Sequence, residues 1–378
     1  MKPPLWKYFA AADADQLALT LQQWHSDMPD LGVLAFVSEH DTADVPLLQQ
    51  IANQRALPLA GTIVPGLIVG GELKKQGLLL AAHAAANPQA MIPLQQQAMD
   101  DGTVAELAAF VELHASEDGE DTLLLFIDAM TPHTATLLDK LYLNIGNRVR
   151  YAGSNVGSEA FRPVRCLFDN TSFVKNAALA LLLPNHPGAS LAHHYSESRQ
   201  LGMATGSSTN RIALIDGRPA FDVYRELVAD AYGVKLTREN FYQYAVHFPL
   251  ALHLAEGEPL VRIAVAVDET GCLFCVGEIP EASLLSIVQA ADPDSNETAR
   301  EVAAEVKAHA PDAALMFYCA GRLLHHGETA ASKELEEIQG ALAPAPIFGA
   351  LSLGEIASYR GQGYPRFHNA TIVALPWH

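Results

Sequence analysis

A carboxylate and a guanidinium that meet in one pocket can hold a small ligand carrying an amine and a carboxylate. In this 378-residue chain, Glu72, Glu355 and Arg322 are the polar residues whose spacing suits that task. Each follows a glycine directly, in Gly71-Glu72, Gly354-Glu355 and Gly321-Arg322, and a third glycine-acid step stands at Gly157-Ser158-Glu159. Ordinary surface ion pairs account for the same residues without a ligand. His247 lies in the apolar stretch Phe241-Tyr-Gln-Tyr-Ala-Val-His247-Phe-Pro-Leu-Ala-Leu-His253, either as a ligand donor or as a core imidazole bonded to backbone. Cys272-x-x-Cys275 on an extended strand points its thiols to opposite faces and lacks the second pair of a four-sulfur site. Covalent catalysis finds no support: Gly206-Ser-Ser is not a nucleophile elbow, and no His-Glu-x-x-His occurs. The chain reads as a binder, not an enzyme.

The elements that would position these residues repeat. Gly32-Val-Leu-Ala-Phe-Val-Ser38 is a continuous apolar run suited to a buried strand, the spacing predicts a helix over 45–53, and Leu57-Pro-Leu-Ala-Gly61 begins a second strand. Thr122–Asp128, 136–143 and Val149-Arg-Tyr-Ala-Gly153 give the same order, as do Ala313–Cys319, 332–342 and Pro346-Ile-Phe-Gly349. Three strand–helix–strand units predict an α/β fold with mixed sheets. Gly61, Gly153 and Gly349 then end the returning strands, where they either serve turns or let backbone N–H groups approach a ligand. No unit has the spacing of a dinucleotide or Walker phosphate loop.

Asp13-x-x-Gln16 predicts a capped opening helix, and Thr103-x-x-Glu106 a capping box for another. Runs 173–183 and 190–203 read as strands, His193-His194 falling on the second with rings on opposite faces. Thr205–Asn210 turns the chain into Arg211–Ile215, after which Asp216-Gly217 marks a boundary. The predicted organisation is a helical segment at 1–28, a first domain at 29–217 and a second at 218–378. The second opens with a hairpin of 261–267 and 272–276, continues through a helix from Ser295, and ends on a strand over 367–374. His325-His326 beside Gly327 reads as an exposed loop.

Composition bounds the function. With 49% apolar and 18% charged residues the chain can bury large cores. A net charge of −19 without a basic run excludes a general nucleic-acid binder. The longest aliphatic run, Ala177–Leu183, is far short of the roughly 20 residues a spanning helix needs, so no membrane insertion is expected. Four scattered cysteines and the lack of an apolar signal core point to a cytoplasmic location.

The order of these motifs resembles the FIST domain family. Gly32–Ser38, Leu57-Pro-Leu-Ala-Gly61, Gly70-Gly-Glu72 and Asn210–Ala220 look like its N-terminal part. Phe317-Tyr-Cys-Ala-Gly-Arg322, Ile347-Phe-Gly-Ala350, Leu353-Gly-Glu-Ile356 and Phe367-His-Asn-Ala-Thr-Ile372 look like its C-terminal part. The resemblance implies a two-domain sensory module that binds a small-molecule or gas effector. With no output domain after the last strand, it would report to a separate signalling protein such as a histidine kinase or a cyclic-nucleotide enzyme. Some free-standing relatives bind haem and sense nitric oxide. For a haem in this chain, His247 is the favoured axial ligand, His193 or His194 the other candidates, and Arg262 or Arg211 would pair with propionates. His368, in a motif general to the family, suits a structural or shared-pocket role.

Overall fold

The computed structural model describes residues 6–84, 86–94, 101–254, 258–289, 295–358 and 363–378. The three expected strand–helix–strand units are present with parallel pairing: Val33 opposite Leu59, Thr122 opposite Arg150, and Ala314 opposite Ile347. Each is the centre of a larger repeat. The first runs through strand Trp6–Phe9, helix Ala14–Asp27, strand Leu31–Ser38, helix Val45–Gln54, strand Leu59–Val64, the short strands Leu67–Val69 and Glu72–Lys74, and strand Leu78–Ala84. The second follows the same order from Gln89–Pro93 and Asp101–His114, through Thr122–Asp128, Thr134–Ile145 and Arg150–Val156, to Leu167–Asp169, Phe173–Val174 and Ala177–Leu183. In the third, Ser190–Ala192 supplies the opening strand, and the sequel resumes at Glu297–Lys307. It continues with Ala313–Cys319, Glu328–Leu342, Ile347–Ser352, Glu355–Ser358, Pro365–His368 and Ile372–Trp377.

Each repeat builds one six-stranded sheet, but the paired short strands cross to a neighbour. Those of the first repeat extend the third sheet, Ile68 pairing with Gly349. Those of the third extend the second sheet, Ile356 pairing with Gly153. Those of the second extend the first, Phe168 pairing with Gly61. The exchange is cyclic and generates an approximate three-fold arrangement. Hydrogen bonds at the strand ends tie the sheets together: Gly157 N to Ile63 O at 2.9 Å, Leu353 N to Asn155 O at 3.0 Å, and Leu351 N to Gly66 O at 2.9 Å. At the centre, equivalent Phe36, Phe126 and Phe317 face one another with ring centroids 5.7 to 6.1 Å apart. The side chains alternate on the strands: Leu124 and Phe126 enter this shared core, while Leu123, Leu125 and Ile127 pack with the outer helices.

A module inserted in the third repeat forms the remaining sheet, from strand Ser196–Ser208 to Leu284–Gln289, with helices Ala220–Tyr232 and Phe241–Ala245. It has its own apolar cluster, including Phe221, Tyr224, Phe241 and Leu273. Sheet pairing runs across residue 217: the third sheet joins Leu67–Val69 and Ser190–Ala192 to Ile347–Ser352 and Ile372–Trp377.

Local expectations divide. Asp13 does cap the opening helix, its Oδ1 accepting from Gln16 N at 2.8 Å. Thr103 is not a cap. It lies inside a helix already begun at Asp101, and its buried hydroxyl donates to Pro93 O. His325 and His326 are half-buried in a short helix, Ala320–His326, rather than exposed in a loop. His193 and His194 lie past the end of their strand, where His194 turns left-handed at φ 51°. The runs 173–183 and 367–374 each break into two strands because one residue set starts a crossing strand and the other returns home. Strand 261–267 likewise divides at Ile263, its first part pairing with Leu250–Leu252 and its second with Leu273–Cys275.

Candidate functional site

Sheet ends that meet a separate module create clefts, and the strand ends of the third repeat form one. Cys319, Ser352, Leu353 and Asn369 contribute the repeat's side, Glu159 and Phe161 come from the second repeat, and Val246, Ile263, Val265 and Val276 from the inserted module. The cleft, taken out to its open mouth, spans about 460 Å³ and is mostly apolar. Gly321 brings the two bodies together: a Cβ there would stand 2.3 Å from Ile263 Cδ1.

Beneath this pocket is an unusual polar cluster. Glu355 is 0% exposed and accepts from Ser352 Oγ, from Thr371 Oγ1 at 2.6 Å and from Thr371 N. Burial pushes its pKa up to about 7, against the downward pull of the Ser352 and Thr371 hydrogen bonds. Cys319 Sγ accepts from Ala370 N at 3.1 Å, and burial raises its thiol far above the reactive range. Ser38 and Asp128 occupy the equivalent strand ends and also bond the returning segment, through Lys75 O and Asn176 N. The thiol is therefore a structural link. Asn369, 1% exposed, donates to His368 O, while its Oδ1 has no partner among the described residues.

Arg322 is 1% exposed and fully committed. Nε and Nη2 grip Glu334 at 2.9 and 2.7 Å, Nη1 donates to His193 O and Ala370 O, and Nη2 also donates to Thr298 Oγ1. Its five N–H groups are all used, which leaves no donor for a ligand. Burial alone would lower the Arg322 pKa, but the Glu334 carboxylate more than reverses that. Glu72 stands apart from this cluster, with its side chain 69% exposed in an ion pair with Lys74.

The three glycines are explained by packing. A Cβ at Gly153 would lie 1.8 Å from Leu125 O, and one at Gly349 would lie 1.9 Å from Met316 O, with φ at 146° and 154°. At Gly61 the obstacle is the Phe168 ring, 2.1 Å away. Strand backbone excludes a side chain at Gly153 and Gly349, and the Phe168 ring does so at Gly61.

The histidines gather more than their spacing foretold. The Tyr195 N–H donates to His193 Nδ1 at 3.0 Å, and the Tyr195 hydroxyl meets His325 Nδ1 at 3.3 Å. The His247 ring packs edge-on to His325 with centroids 5.4 Å apart. Burial pushes His193 down to about 4 and His325 down to about 3, so both are neutral at pH 7. His194 instead faces Glu301 at 2.5 Å and Glu297 at 3.6 Å on the helix opening the resumed repeat. Arg262 borders a different pocket, beside Glu278 and Phe367. Arg211 pairs with Asp268 and covers the Phe274 ring. None of these pockets is lined by His247 together with Arg262 or Arg211. Among the described residues no group of three or more His, Cys, Asp or Glu side chains could hold a metal ion.

The FIST N domain matches residues 32–218, and the FIST C domain matches residues 220–358. The chain belongs to the FIST family. FIST domains are small-ligand sensory modules of signalling proteins, not catalysts. Comparison with curated proteins gives no match. The two FIST matches meet inside the inserted module, so the three-fold body spans both. No described helix is long and apolar enough to cross a membrane, and Cys166, Cys272, Cys275 and Cys319 are all free. Asn369 and Ile263, which shape the pocket, have no chemical signature of their own in sequence. Asn369 sits in the His368-Asn-Ala-Thr371 motif, which was its only signal.

Proposed function

We propose that this FIST protein senses a small, largely apolar ligand at the strand-end pocket and passes the signal to a separate partner, such as a histidine kinase or a cyclic-nucleotide enzyme, in the cytoplasm. The observation that carries the reading is Asn369: a buried amide whose oxygen lacks a donor among the described residues, on a pocket walled by both the body and the inserted module. A ligand bearing an N–H or O–H group would satisfy that oxygen. Because it would touch both bodies, it would favour one setting of the module, and the partner would read the resulting population.

A thermal-shift screen of small molecules against the whole protein tests this, with Leu324→Trp closing the pocket mouth. Stabilisation in the parent that disappears in the variant supports the site; equal stabilisation of both places the ligand elsewhere. The narrower readings are a haem-free sensor of an amino-acid-like molecule and a haem-based nitric-oxide sensor. The latter draws on the imidazoles around Tyr195, from His193 to His247. Reconstitution with haem and a search for a Soret band that shifts with nitric oxide distinguishes it, and a colourless protein removes it.

A further inference from the structure

The inserted module meets the body at a second cleft, about 770 Å³ out to its open mouth, and Arg262 lines it. This arginine is 1% exposed. Its Nε donates to Glu278 O, and Nη1 donates to Val261 O and Phe367 O, all near 3 Å. Nη2 carries two more N–H groups that meet no acceptor among the described residues. Arg322, equally buried, has all five donors filled and a carboxylate in its grip; among the described residues Arg262 has no direct carboxylate partner. Burying an unpaired guanidinium is costly unless an anion compensates it. Burial pushes its pKa down to about 10, which keeps it charged at neutral pH.

The acids of the pocket are engaged elsewhere. Glu278 accepts from Thr136 N and Thr136 Oγ1 and lies 3.5 Å from His133, while Asp139 lies close to the Tyr364 hydroxyl. They would repel a dianion but leave the guanidinium's open edge to a single negative charge, with Arg366 on the same rim. Leu252, Leu254, Leu260 and Ile279 line the rest. We propose that this pocket binds a small organic monocarboxylate with an apolar tail, its carboxylate on Arg262 Nη2 and its tail among the leucines. Arg262 belongs to the module, whereas Thr136 and Asp139 belong to the second repeat, so the ligand bridges the two. This site is separate from the strand-end pocket, and either can fail without the other.

Titration calorimetry on the whole protein with hexanoate and octanoate, against hexanamide and hexylamine, tests the assignment. Saturable binding of the carboxylates alone is expected. Arg262→Gln should weaken it at least about tenfold, with Arg262→Lys intermediate. Ala135→Trp, which fills the pocket from a half-buried helix position, should abolish binding and decides the matter if Arg262→Gln does not fold. Leu324→Trp, at the other pocket, should leave it unchanged. Equal binding of the amide, unaltered affinity in Ala135→Trp, loss of binding confined to Leu324→Trp, or no saturable binding overturns the inference.

Discussion

Glu355 occupies, in the third repeat, the position that Leu67 holds in the first. Each pairs next to the glycine of a neighbouring sheet, Glu355 opposite Ser154 and Leu67 opposite Ala350, and Leu167 completes the set opposite Thr62. Two repeats bury leucine where the third buries a carboxyl group. Its pKa of about 7 lies above the ordinary 4.5, so the native state holds this proton more tightly than the unfolded chain. That contribution is complete below about pH 4.5 and is lost as pH rises through 7. Glu355→Gln should flatten the fall in stability across this window, by up to about 3 kcal/mol, in urea titrations at pH 5 and pH 8. An unchanged pH profile would show that Glu355 is not the titrating group.

The Phe36, Phe126 and Phe317 cluster makes one core out of three sheets. Truncating any one to alanine should cost about 3–5 kcal/mol, with similar losses at all three because their surroundings are equivalent. Thermal unfolding of the single variants measures this. A loss confined to one repeat would show that the repeats fold as independent units.

Gly153→Ala and Gly349→Ala should each cost more than about 3 kcal/mol, since the new Cβ would collide with a backbone carbonyl and the φ angles disfavour L side chains. Gly340, inside the helix Glu328–Leu342 with open space around it, is the control. Gly340→Ala should add up to about 1 kcal/mol. Chemical denaturation of the three variants separates the two effects.

Arg322→Met strands Glu334 without its buried counter-charge and removes donors from His193 O and Ala370 O. A loss of about 3–5 kcal/mol is expected at pH 7. Glu334 is held below the usual carboxylate range by Arg322 despite its burial. The pair's contribution is therefore present above about pH 4.5 and fades as pH falls through the lowered value. Parent and variant should converge in stability on acidification, which denaturation at pH 3 and pH 7 reads directly.

The apolar runs and their glycines made the three central strand–helix–strand units legible, because buried parallel strands are continuous in sequence. The crossing strands Leu67–Val69 and Leu167–Asp169 were not: they are too short to carry a period, and their partners lie far along the chain. The three phenylalanines stood inside the quoted runs, yet only the cyclic exchange brings them together. Arg322 was legible as a candidate pocket arginine, but its burial and its saturation by Glu334, His193 and Thr298 depend on a helix and a loop that no local pattern joins. The close approach at Gly153 and Gly349 was not legible for a related reason: a clash with a neighbouring strand's carbonyl is invisible until the register is known.

The cyclic exchange has a consequence for how the molecule is made on the ribosome. Leu67–Val69 emerges early but must wait for Ile347–Ser352 before its backbone groups find their permanent partners. Until then the nascent chain presents an open, apolar sheet edge, the kind of surface that invites mispairing. The third sheet also awaits strand Ile372–Trp377, which joins Ser190–Ala192 to Ala313–Cys319, so a chain lacking that strand would leave those two strands without their common partner.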